Sequence, residues 1–134
     1  MSYRETIDGY LRRFGELVGV ELEPLNAEGH SSVQRGSATV GINVLEDHRV
    51  LMFLSPIMRV PRRRPEELYR KLLELNFLGT SDAAFAIDRE KNVVYLRALR
   101  GLEGLDFEEF VDLLDTMGSV ADEWDEKLRA EFGD

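Results

Sequence analysis

Three features of the sequence predict an α+β fold, an antiparallel sheet with helices packed on it in the order α-β-β(-β)-α-β-β-α. Residues 6–18, 65–76 and 106–130 carry apolar side chains at the three-and-four spacing of helices. Residues 37–45 alternate apolar and polar side chains, the two-residue spacing of a half-buried strand. Strand-like stretches also fall in pairs around short charged segments, "EDH" at 46–48 and "REK" at 89–91, and each pair reads as a hairpin.

The first helix presents Ile7, Tyr10, Leu11, Phe14, Leu17 and Val18 and stops at Gly19. Gly9 and Gly15 lie inside it at a cost of up to ~1 kcal/mol each relative to alanine, so tertiary contacts must hold it. A short strand is expected at "VELE", residues 20–23, followed by a polar loop through "NAEGHSS". "SATVGINVL" then sets Ala38, Val40, Ile42 and Val44 on one face. Its return strand, "RVLMFLSPI", is apolar on both faces and calls for cover on each side. Pro56 in that strand marks an edge or a bulge.

Pro65 with Glu66 and Glu67 opens the second helix, because proline gives up no needed hydrogen bond in a first turn and carboxylates complement the dipole. Its apolar arc is wide: Leu68, Leu72 and Leu75 form one row, Tyr69, Leu73 and Asn76 the next. Asn76 is expected to end the helix in a left-handed conformation, with Phe77 folding back on the last turn. "DAAFAID" and "NVVYLRAL" make the second hairpin. Asp106 caps the last helix with Glu109 three residues later, and Phe107, Phe110, Val111, Leu114, Met117, Ala121, Trp124 and Leu128 follow at helical spacing.

Composition narrows the function. With 134 residues the chain fits one domain, 1–134, with one core. A formal charge of −9 repels phosphate backbones and anionic lipid, which disfavours nucleic acid and membranes as partners. There is no cysteine, so a disulfide frame or a thiolate metal site is impossible. "MSYRETIDGY" lacks the apolar stretch of a signal peptide, and runs such as "VLMFL" are far too short to span a bilayer, so a cytoplasmic location is expected.

Motifs of catalysis are missing. His30 and His48 stand in loops without a second histidine at metal-binding spacing, and no nucleophile elbow, phosphate-binding glycine loop or HExxH pattern occurs. Neither an enzyme nor a cofactor is expected. The charge anomaly is "RVPRRRP": Arg62, Arg63 and Arg64, with Arg59 just before them, offer guanidinium forks to an anion or stand as a solvated connector. Trp124 is either packed on the core or an interface anchor.

Residues 51–128 carry a resemblance as well. "LSPIMRVP", "LYRKLLELNF", "AAFAID", "NVVYLRAL", "GLDFEEF" and "ADEWDEKL" together resemble the type III secretion chaperones of the Tir-chaperone type and the YbjN-like proteins that share their fold. The most telling element is an "LLxLN" helix end, two strands, and "LD" opening a long terminal helix. That resemblance implies a non-enzymatic homodimer that holds an extended effector segment, or another partner protein, along apolar patches. Its YbjN-like branch implies a stress or sensory regulator instead. By their apolar character, Val40, Ile42, Val44, Leu51, Phe53, Tyr10 and Phe14 are the expected partner-binding residues. Leu68, Tyr69, Leu72, Leu73 and Tyr95 are the expected dimer interface, and Arg62, Arg63 and Arg64 the possible anion contact.

Overall fold

The structure, a computed structural model, describes residues 2–134. The elements run α1 (Tyr3–Val18), β1 (His30–Arg35), β2 (Ala38–Leu45), β3 (Val50–Arg59), α2 (Pro65–Leu78), β4 (Ala84–Asp88), β5 (Val93–Gly101) and α3 (Phe107–Phe132). The five strands form one antiparallel sheet in the order β1-β2-β3-β5-β4. The apolar β3 therefore lies at its centre.

Strand alternation splits the sheet into two faces. Val40, Ile42 and Val44 of β2, Leu51 and Phe53 of β3, and Val94 and Leu96 of β5 are all buried on the inner one. Phe53 meets Phe110 of α3 at 6.0 Å between ring centroids, and Tyr10 of α1 meets Phe110 at 5.7 Å, so both helices cover that face. Pro56 sits in a bulge: the β3–β5 register shifts between Pro56 and Met58, which releases the proline from the ladder in a central strand.

Caps fix the helix ends. Ser2 accepts from the Glu5 N–H at 3.2 Å, Asp106 accepts from the Glu109 N–H at 2.8 Å, and Gly19 closes α1 with φ 73°. Two expectations fail. Residues 20–23 form no strand, and the first strand is "HSSVQR" instead, with Ser31 and Val33 turned inward. Small hydroxyl side chains disguised it as a loop. The second helix also continues past Asn76 to Leu78, because the Asn76 side chain finds partners in a neighbouring strand and the backbone stays helical.

Candidate functional site

Apolar side chains that the core leaves outside define the site. On α2, Leu68 and Leu72 are buried, but Tyr69, Leu73 and Phe77 in the adjoining row are exposed, Leu73 by 71% and Phe77 by 81%. With Glu66, Arg70 and Glu74 they line an open groove of about 750 Å³. Leu78, 87% exposed, extends the apolar surface past the groove. A helix needs one buried row to hold it, so a second exposed row is surplus to folding.

The outer sheet face supplies a second apolar area. Leu45 pairs across strands with Val50, Met52 with Leu99, and Pro56 with Tyr95, and all six are half-buried or exposed. A third lies where α1 ends: Leu17, Val18 and Val20 are exposed beside a cleft of about 690 Å³ between the helix and residues 20–24.

These positions correct the expected partner set. Val40, Ile42, Val44, Leu51 and Phe53 are buried under the helices, and Phe14 is buried on the inner side of α1, so a partner cannot touch them while the fold is closed. The alternation that made β2 legible marks the face that its own helices claim. Tyr10 is half-buried, its hydroxyl donating to the Leu105 carbonyl at 2.9 Å. In the expected dimer set Leu68 and Leu72 are core residues, whereas Tyr69 and Leu73 are exposed and Tyr95 is half-buried on the outer sheet face. Phe77, expected to fold back on the helix end, instead continues the row of Tyr69 and Leu73 at four-residue spacing.

Polar groups near the β1–β2 turn are structural. The Ser37 hydroxyl and Ser37 N–H donate to Asp122 at 2.7 and 2.8 Å and hold its carboxyl below the usual aspartate range. The same hydroxyl lies 2.8 Å from the buried Asp125, and Arg35 pairs with Asp115 at 2.6 Å, so the turn is tied to α3. His30 contacts Asn43 at 2.9 Å through Nδ1, and His48 is exposed. Trp124 is half-buried, with Lys71 of α2 and Lys127 of α3 at 5.4 and 4.9 Å from its ring. Among the described residues no acidic, histidine or cysteine group is arranged to hold a metal ion. Nor is any described helix long and apolar enough to cross a membrane. Arg64 pairs with Glu67 at 3.5 Å, while Arg62 and Arg63 join Arg59 along a cleft.

A five-stranded antiparallel sheet under two helices, with apolar surface left over on a third, defines an α+β domain built to meet other polypeptides. Residues 9–125 match the model of the Tir chaperone protein (CesT) family, and the chain belongs to that family. A chain of the ExsC–ExsE complex shares the fold with a TM-score of 0.77 and 21% identity, over 96% of this chain and 97% of that one. In the heterodimeric ExoU–SpcU complex from the type III secretion system of Pseudomonas aeruginosa, the values for one chain are 0.65, 20%, 87% and 93%. YbjN from E. coli gives 0.53 and 12% over 86% of this chain and 88% of its own. No curated protein sequence matches the chain.

Proposed function

We propose that this protein is a non-enzymatic, homodimeric chaperone that holds an extended or partly folded segment of a partner protein in the cytoplasm. The observation that carries the proposal is the apolar surface outside a closed core: one patch on α2, one on the outer sheet face and one at the end of α1. A monomeric domain whose core is already complete has no folding use for Leu73, Phe77, Leu17 and Leu99 in water. Membership of the Tir chaperone family supports the same reading, and chains of the ExsC–ExsE and ExoU–SpcU complexes share the fold.

The three areas suit two different occupants. The α2 groove is compact and flanked by an Arg70–Glu74 pair, so two copies related by a two-fold axis can set it against itself. The outer sheet face and the end of α1 are spread out, which suits an extended chain with side chains at separate points. Co-expression with the product of a neighbouring gene tests the idea. A stable complex in which Leu99 and Leu17 gain protection from hydrogen exchange is expected. A client that binds with no change at either patch would overturn the assignment. A YbjN-like regulatory role is the second reading, supported by the shared fold, and it predicts binding to a folded cellular partner.

A further inference from the structure

We propose that the cleft lined by Arg59, Val60, Arg62, Arg63, Asn92 and Asp134 is a docking site for an acidic stretch of a partner polypeptide, occupied at rest by the carboxylate of Asp134. Three chain segments build it: the exit of β3, the turn between β4 and β5, and the residues after α3. The Val60 N–H donates to the Asn92 carbonyl at 2.9 Å, which anchors the first segment to the second. The cleft encloses about 550 Å³, room for several residues rather than one ion.

Three arginines line this one cleft. The molecule has 26 acidic side chains against 17 lysines and arginines, and four arginines pair with carboxylates. Arg35, Arg64 and Arg70 each take one, and Arg100 takes two. Among the described residues Arg59, Arg62 and Arg63 form no ion pair, although all three are exposed and share one concavity. Like charges held together without partners repel one another, an arrangement that a negative ligand relieves. Glu67 and Glu131 lie in the adjoining recess, which Arg63 and Arg64 also line, and Asp134 is the one carboxylate that lines the Arg59 cleft.

Asp134 indicates what chemistry fits. Its two carboxylate oxygens accept from the Arg62 N–H at 3.0 and 3.2 Å. A carboxylate thus already sits on a backbone donor in the cleft that the three arginines line, without pairing with any of their guanidinium groups. A partner carboxylate takes the same position by displacing Asp134, while neighbouring acidic residues reach the arginines. At physiological salt the attraction acts within about 8 Å, so the arginines rather than the net charge of −9 decide binding at contact.

The inference names one feature of the client and rests on the chaperone reading, but its test does not need the client. Amide chemical shifts are followed while an acetylated, amidated tetra-aspartate peptide is added, and inorganic phosphate is added in a parallel titration. The Arg62 amide should shift with the peptide, and Asp134→Asn should tighten binding about threefold to tenfold by removing an intramolecular competitor. Arg62→Ala with Arg63→Ala should weaken it at least about tenfold, with circular dichroism unchanged. Equal affinities in the native protein and Asp134→Asn, or a peptide that leaves Arg62 unmoved, would overturn the proposal. So would phosphate binding as tightly as the peptide, which makes the cleft a small-anion site. None of these failures touches the dimer or the apolar contacts.

Discussion

Asn76 has an amide side chain that satisfies both backbone groups of Phe85, donating to its carbonyl at 3.3 Å and accepting from its N–H at 2.8 Å. β4 is an edge strand, and those two groups would otherwise face outward from the sheet. A polar residue in the apolar stretch "LLELNF" is therefore a strand substitute carried on a helix. Replacing it with alanine leaves a part-buried donor and acceptor unpaired, at a cost of ~1–3 kcal/mol. Chemical denaturation should show that loss, and amide exchange at Phe85 should accelerate; an unchanged midpoint and exchange rate would refute the role. Asp122 makes a pH prediction of the opposite type. Its carboxyl is held below the usual aspartate range by the Ser37 hydroxyl and then the Ser37 N–H. A depressed folded pKa gives stability that is present above the unfolded value of ~3.9 and is lost as pH falls through the folded one. Asp122→Asn should therefore melt below the native protein at pH 6, and the gap should narrow as the pH falls below about 4. A gap that stays constant with pH would show that the carboxylate charge is irrelevant.

Helix α1 holds two glycines that periodicity treats alike and packing does not. A Cβ at Gly9 would meet nothing within 4 Å, whereas one at Gly15 would lie 2.5 Å from the Val20 carbonyl oxygen. That carbonyl is close because the chain doubles back after Gly19, with the Val20 N–H donating to Gly15 at 2.9 Å. Gly9→Ala should raise stability by ~0.5–1 kcal/mol through helix propensity alone. Gly15→Ala should lower it by ~1–3 kcal/mol, because backbone rather than a pliant side chain must move. Thermal melts of the two variants should move in opposite directions. The contrast shows why much of the fold is legible in sequence and the site is not. Periodicity reports which face of an element is apolar, and it located α1, β2, α2, the β4–β5 hairpin and α3. It cannot report whether that face meets the protein's own helices or a partner, which is why Val40, Ile42 and Phe53 are expected among the partner-binding residues and yet lie inside. β1 escaped because His30, Ser31 and Ser32 carry no apolar signal. Segment 59–64 stood out by charge, but the inclusion of Asp134 depends on a contact 72 residues away in the chain.

At the scale of the whole molecule the surplus row on α2 demands a partner, and a second copy is the simplest one. Tyr69, Leu73 and Phe77 form a short apolar stripe between charged side chains, and Arg70 and Glu74 on its flank can each face its opposite across a two-fold axis. A standard interface buries ~800 Å² per partner, more than the stripe alone offers, so neighbouring surface must join it. Leu78 extends the stripe, and Ile87, 42% exposed on edge strand β4, is a further apolar group outside the core. Light scattering at micromolar concentration should give twice 15.4 kDa. Leu73→Glu combined with Phe77→Glu should give a folded monomer, since neither side chain supports the core. Leu72→Glu is the control that separates interface from core. Leu72 is 5% exposed, and burying a carboxylate there should cost ~3–5 kcal/mol, enough to unfold a marginally stable domain whatever its oligomeric state. The two outcomes differ in kind. If the Leu73 and Phe77 double variant remains a dimer, the α2 stripe is not where the copies meet, and the outer sheet face around Tyr95 becomes the surface to mutate. If the native protein itself scatters as a 15.4 kDa monomer, the stripe is left exposed to water and the dimeric reading falls.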